Sequence, residues 1–456
     1  MHNRTKLAWL TVLTLIFIGR LVLGLNLIQN QEVAIMPDSG SYLEVAGYWD
    51  EYGLFQSSGT DADLMRTPGY PLLLWMIMQL PVDLITTTVV LQLFMGGLIA
   101  WLVYLILRQH FTEPTALLAA ALVLLSPNLF LWSLTILTDV PFALLLMLSV
   151  YAFLHLTQTP TLKMALWSGL ALGAATLVRP IGQPLIPAWC LMIFLYRGLD
   201  PAWKTRAKLA AATLLGALLF VTPWVARNAL VWDQTTLSPI STYNLGHYQA
   251  AGAVARAEGI SLEEARTRFT ITRPPVAGDS SRYIKIILDH LDDYLVIHLR
   301  GTKTILIEAN RPFFNLLLGE RYRGSGVFSA LSRLHFAEAA DQIENMRANH
   351  NQFALFVLNG AAQIGLAVIY FLTLVGLIAL LRRRDSDTGL LLAVIFVCFG
   401  LFILVPGPVG NDRFRIPFEP FMALLAAVGL SNLVHLSGQW IGSRRRAKLY
   451  NPSRAG

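Results

Sequence analysis

Asp38, Asp139, Arg179, Arg227, Arg413 and Arg415 each stand at the edge of a long apolar run. Carboxylates and guanidiniums at such a boundary are costly unless hydrated or paired, so each is a candidate for function. Together they supply acids that can take a proton and planar cations that can hold a phosphate. The densest of these regions is 36–71, MPDSGSYLEVAGYWDEYGLFQSSGTDADLMRTPGYP. It carries Asp38, Tyr42, Arg66 and Tyr70, and also Asp50, Glu51, Asp61 and Asp63. A connector between apolar runs has little structural need for so many carboxylates. Asp38 is the lead residue for chemistry, while Asp50, Glu51, Asp61 and Asp63 read as solvated surface.

Each candidate also has a plainer role open to it. Asp38 precedes Ser39 and Ser41 and can cap a helix. Asp139, just before Val140 and Pro141, suits the N-cap of another. Arginines at span ends can snorkel to lipid headgroups. Glu419 can serve only as the partner of Arg413 or Arg415, and Arg20, deeper in the first run, is expected to pair or snorkel. His247 and His290 are lone histidines without ligand spacing.

The elements that must position these residues are membrane helices. Of 456 residues, 55% are hydrophobic and 14% charged, against roughly a quarter charged in soluble chains. Mean hydropathy is +0.55. The class is therefore an all-α polytopic membrane protein. Ten runs qualify as spans: 7–28, 84–107, 116–132, 140–156, 164–178, 181–196, 209–225, 353–381, 389–405 and 416–436, with 70–80 as a partial eleventh. The working range is nine to twelve. The first run has a basic lead-in but is too long for a signal peptide and lacks a small-residue cleavage site, so it reads as an uncleaved anchor. Cys190 and Cys398 both fall inside apolar runs and imply no disulfide framework.

Basic residues orient the spans. Arg4, Lys6, Arg108, Lys163, Arg197, Lys204, Arg206, Lys208, Arg382, Arg383, Arg384, Arg444, Arg445, Arg446 and Lys448 all fall on one side if both termini are cytoplasmic, as the positive-inside rule requires. The net charge of +7 is thus a topology signal, and no basic-aromatic platform is left for nucleic acid. Residues 1–436 form one transmembrane domain and 437–456 a basic cytoplasmic tail. Two outer loops, 29–82 and 229–352, are too long to be simple connectors. In the second, Ser261 and Glu264 form a capping box, and 283–299 has the pattern of a helix lying along the membrane surface.

At this point the residues carry a resemblance. An Asp just past the first span, Tyr42, RTPGYPLLLW, SPNLF followed by TDVPF, LVRP, PWVARN and a late RFRIPFEPF occur in order and on matching membrane sides. Together they resemble the GT-C superfamily of integral-membrane glycosyltransferases, in the protein mannosyltransferase-like and aminoarabinose-transferase-like branch. The resemblance implies an inverting transfer from a polyprenyl-phosphate-linked sugar to a lipid, glycan or protein acceptor, at the extracytoplasmic face of the cell membrane. It implies Asp38 as general base and Arg179, Arg227, Arg413 and Arg415 as cations for the donor phosphate. Asp139 would be a second acid that orients a substrate or holds a divalent metal, though one carboxylate per loop is too few to assign a metal site. Arg66, Tyr70 and Tyr42 would shape the pocket, and Tyr243, Asn244 and His247 would close it from the large loop.

Two other classes share parts of this pattern. A transporter or flippase of a lipid-linked sugar is expected to show inverted repeats and midplane polar groups; no repeat is visible, and the polar residues gather at one face. A glycan polymerase or ligase shares the donor but not the early Asp-bearing loop.

Overall fold

In hydrocarbon each segment must satisfy its own backbone polar groups, so the apolar runs fold as helices. The computed structural model describes residues 3–53, 62–200, 202–268, 279–319, 327, 335–383 and 385–449, and no strand occurs among them. The first half contains α1 (Asn3–Leu27), α2 (Ser39–Tyr52), α3 (Ala62–Met65), α4 (Gly69–Met78), α5 (Leu84–Arg108), α6 (Glu113–Leu124), α7 (Pro127–Trp132), α8 (Asp139–His155), α9 (Leu162–Val178), α10 (Leu185–Leu195) and α11 (Trp203–Trp232). The large loop folds as α12 (Ile240–Asn244), α13 (Ala251–Glu258), α14 (Leu262–Arg268), α15 (Asp279–Asp289), α16 (Leu291–Ile307), α17 (Arg311–Leu317) and α18 (Phe336–Arg347). The chain then returns to the bundle with α19 (His350–Leu381), α20 (Ser386–Phe399) and α21 (Glu419–Leu449).

Six helices among the described residues are long and apolar enough to cross a membrane: Lys6–Leu27, Leu84–Arg108, Trp203–Trp232, His350–Leu381, Ser386–Leu404 and Glu419–Ser437. The other expected runs coincide with shorter apolar helices, Glu113–Leu124, Asp139–His155, Leu162–Val178, Pro180–Leu195 and Gly69–Met78. The run 116–132 is not one helix. Ser126 Oγ accepts from the Leu129 backbone N–H at 3.1 Å, and Pro127, lacking an N–H, starts α7 there, which ends one helix and caps the next. In the large loop Ser261 does cap α14, accepting from Glu264 N–H at 3.1 Å. The stretch 283–299 is divided between α15 and α16 at His290.

Contacts sort the helix ends into two layers. At one, Lys6 pairs with Glu113 at 3.4 Å, the Tyr196 hydroxyl donates to Asp387 at 2.7 Å, and Arg383 stacks on Phe111, 4.4 Å from the ring centre. At the other, the start of α8, the end of α9 and the segments before α2 and α21 meet around Asp38, Asp139, Arg179 and Arg413. One apolar cluster runs between them, from Ile28 to Val428.

Helix pairs approach closely where small residues allow it, as in membrane bundles generally. A Cβ on Gly169 or Gly173 of α9 would strike the backbone of Thr213 or Ala217 on α11, and Thr213 Oγ1 donates across the seam to the Ala165 carbonyl at 3.1 Å. Gly169→Leu is expected to force these helices apart and cost about 1–3 kcal/mol or more. The check is the melting temperature of the detergent-purified variant; an unchanged value would show that the seam is not close-packed.

Candidate functional site

Asp38 reaches its position because two connectors are stitched together. Ile136 N–H donates to the Ala34 carbonyl at 2.8 Å. The fully buried Ser39 accepts from Met36 N–H at 2.9 Å and donates to the Ile136 carbonyl at 2.9 Å. These bonds bring the start of α2 beside the start of α8. Asp38 occupies the N-cap position of α2 yet makes no side-chain cap bond. Its carboxylate is turned instead to two guanidiniums, accepting from Arg66 Nη2 at 3.0 Å and from Arg413 Nη2 at 2.7 Å.

Arg66 is held by the turn that follows it. At Gly69 a Cβ would lie 2.8 Å from the Leu177 carbonyl and the Val178 nitrogen, so only glycine lets α4 press on the end of α9. The guanidinium then forks, with Nε donating to Ser41 Oγ at 2.9 Å and Nη1 to the Tyr42 hydroxyl at 3.2 Å. It also lies over the Tyr42 ring at 4.6 Å. Tyr42 meets Tyr70 edge-on at 5.3 Å. The Tyr70 hydroxyl donates to Gln92 Oε1 at 3.2 Å, and Gln92 Nε2 donates to the Ser133 and Thr135 carbonyls at 3.0 and 2.7 Å.

Asp139 lies in the first turn of α8, with Thr138 rather than Asp139 at the N-cap position. Its carboxylate pairs with Arg179, which sits in extended backbone where α9 must stop before Pro180. The Phe414 ring joins the two groups: Arg179 lies 5.6 Å and Arg413 5.0 Å from its centre. Three guanidiniums, of Arg66, Arg179 and Arg413, thus face the two carboxylates of Asp38 and Asp139, a surplus of one positive charge. Arg413 Nε is buried with no hydrogen-bond partner. Asp38 is the most open of the five, its side chain 35% exposed.

Burial pushes the Asp38 carboxyl up, but the Arg413 and Arg66 guanidiniums more than reverse this and hold it at about 2. Burial pulls Arg413 down, and Asp139 and Asp38 together raise it above its ordinary value. Asp38 is therefore a carboxylate throughout the physiological range.

The remaining candidates lie elsewhere. Arg227 pairs with Asp63 and lies over Trp224 at 4.7 Å. Asp63 is fully buried, which corrects its reading as solvated surface: it neutralises a buried arginine. Asp50 and Glu51 are exposed, and Asp61 lies outside the described residues. Arg415 is 2% exposed, its Nε on Glu419 at 3.1 Å and its Nη1 on the Ile305 and Glu308 carbonyls at 2.6 and 3.1 Å. Glu419 is thus the partner of Arg415, not of Arg413. Arg20 donates to the Leu124 carbonyl and lies over Phe130. Tyr243 stacks on His247 at 4.7 Å. Asn244 ends α12, and the turn Leu245–Ala250 that follows packs against Gly407–Val409, shortly before Arg413.

Two contributors escaped the sequence reading. Gln92 could have been found, since a lone glutamine inside an apolar run must have a partner. Phe414, between two arginines, carried no signal of its own. Among the described residues no three His, Cys, Asp or Glu side chains are grouped as a metal would require.

Residues 65–226 match the family model described as dolichyl-phosphate-mannose-protein mannosyltransferase. The resemblance to GT-C glycosyltransferases holds. The matched segment contains Arg66, Tyr70, Asp139 and Arg179 and stops one residue short of Arg227. No curated protein matches the chain. Among solved structures it is similar to the oligosaccharyltransferase of Archaeoglobus fulgidus in complex with zinc and sulfate, with a TM-score of 0.49 and 14% identity over 96% of this chain and 51% of that one. The same organism's AglB with an inhibitory peptide and a dolichol-phosphate gives 0.46 and 15% over 96% and 52%. ArnT from Cupriavidus metallidurans bound to undecaprenyl phosphate gives 0.38 and 13% over 94% and 78%. The chain spans about half the length of the oligosaccharyltransferase.

Proposed function

We propose that this protein is an inverting glycosyltransferase, moving a sugar from a polyprenyl-phosphate donor to an acceptor at the extracytoplasmic face, with Asp38 as general base. The observation that carries the reading is the partly open Asp38 carboxylate set between Arg66 and Arg413, beside the Asp139–Arg179 pair. Asp38 takes the proton of an acceptor hydroxyl as that oxygen bonds to the anomeric carbon. The bond from that carbon to the donor phosphate breaks on the opposite side, and its electron pair leaves on the phosphate oxygen.

A phosphate leaving group needs no strong acid, only cations. The surplus positive charge at Arg66, Arg179 and Arg413, and the unpartnered Arg413 Nε, suit that need. A carboxyl held at about 2 is a weak base, but a phosphate that engages Arg413 would loosen its hold on Asp38 and raise its basicity just as the donor arrives. Arg227 and Arg415, whose guanidiniums serve buried partners, are assigned to holding the fold; this narrows the four arginines to two. Asp139 orients Arg179. Tyr42 and Tyr70 wall the pocket, and Tyr243, Asn244 and His247 cover it from the large loop. Lys6 and Arg383 at the opposite helix ends support the site's facing away from the cytoplasm.

Arg413→Met is expected to raise the KM for a polyprenyl-phosphate sugar by roughly tenfold to a hundredfold, the worth of one charged hydrogen bond. Radiolabelled donor and purified protein test this. An unchanged KM removes Arg413 from the donor site, and movement of labelled donor across liposomes without transfer makes the protein a transporter.

A further inference from the structure

On the far side of the 412–415 turn from Asp38 lies a cavity of about 420 Å³, within the range of small-ligand sites. Its walls come from the end of α6, the start of α7, the middle of α19 and the start of α21. They are mostly apolar and built partly from small residues, Ala362, Gly365 and Ala423 among them. At its mouth stand Leu125 and Val368, 58% and 51% exposed. Leu125 follows the last residue of the apolar α6 and Val368 lies midway along α19, which is long and apolar enough to span, so the opening is set toward lipid tails.

The inner end is polar and rich in acceptors. Asn128 spends its amide N–H donors on Glu419 at 2.7 Å and the Asp412 carbonyl at 3.2 Å. Arg415 spends Nε on Glu419 and Nη1 on backbone carbonyls. That leaves Asn128 Oδ1 and Asn310 Oδ1, each on a residue only 3% exposed and each without a hydrogen-bond partner. A buried acceptor without a donor costs about 1–3 kcal/mol, so a donor brought within reach of either oxygen is favoured there. Arg415 and Glu419 neutralise each other at this end, and the groups beside them without a partner are acceptors, so a head that donates fits better than an anion.

We infer that this cavity is a second lipid site, taking the hydrocarbon chain of a membrane lipid whose non-anionic head, a hydroxyl or an ammonium, donates to Asn128 and Asn310. It is separate from the phosphate-binding arginines and stands whether or not Asp38 is a catalytic base.

The test uses the full-length protein in nanodiscs and a long-chain alcohol with a photoreactive tail. Saturable labelling is expected on α19 or α21 at the cavity wall. A side chain at Gly365 enters open space, so Gly365→Phe is expected to fill the cavity and weaken labelling at least about tenfold. Gly360→Phe, on the same helix, also at an open position but off the cavity wall, is expected to label like wild type. The chain-matched phosphate monoester is expected to compete at least about tenfold less well than the alcohol. Equal labelling of Gly365→Phe and wild type, or equal competition by the phosphate, would overturn the site. Should Gly365→Phe fail to fold, Ala362→Leu, which fills the same space, decides between the same two outcomes.

Discussion

Asp38→Asn is expected to lower transfer by about two to four orders of magnitude, the usual contribution of a general base, while leaving the donor KM within a small factor. Asparagine keeps the size of the side chain and can still accept from Arg66 and Arg413, but it cannot hold a proton taken from an acceptor. The sign of the pH dependence follows from the depressed carboxyl. Its folded value of about 2 lies below the ordinary 3.8, so the stabilisation from its two arginines is complete above the ordinary carboxylate range and is lost only as pH falls through about 2. In the free enzyme Asp38 therefore adds no acidic limb to kcat/KM above about pH 4. The paired measurement is initial rate and melting temperature for wild type and Asp38→Asn. Undiminished transfer by a folded Asn variant would falsify the base assignment. A limb near pH 6 that disappears in the variant would show that the two arginines do not hold Asp38 charged in the free enzyme.

Removing Arg227 is expected to unfold the protein rather than weaken its donor binding. Arg227→Met would leave the fully buried Asp63 carboxylate without its cation, and breaking a buried pair from one side costs about 3–5 kcal/mol. Replacing both partners, Asp63→Leu with Arg227→Met, is expected to recover most of that loss, since no uncompensated charge then remains. Thermal melting of the two single variants and the double variant closes the cycle, and donor KM is read on whatever stays folded. A stable Arg227→Met with a raised donor KM, matching Arg413→Met, would return Arg227 to the phosphate site.

These two residues mark where the sequence is readable and where it is not. Asp38 and Arg227 look alike in one dimension, each a charge at the end of an apolar run. Asp38, Arg66, Tyr42, Tyr70, Asp139, Arg179 and Arg413 were all recognisable as candidates, and the structure brings them together. Which carboxylate meets which guanidinium was not readable, because Asp38 and Arg413 are separated by almost the whole chain. Asp63 was misread for the same reason: local polarity suggested solvent, and its neutralising partner comes from the distant end of α11.

Composition, hydropathy and the placement of basic residues were enough for an all-helical membrane chain with its candidate charges at one end, because a long apolar run in lipid satisfies its backbone within itself as a helix and leaves its charges at the boundary. The division of the arginines into those around Asp38 and those locked in buried pairs depended on long-range contacts. So did the cavity beside Asn128, whereas the break at Ser126 is local, a serine cap followed by Pro127. Partner choice and burial are properties of chain segments packed against one another, and no local pattern of residue types encodes them.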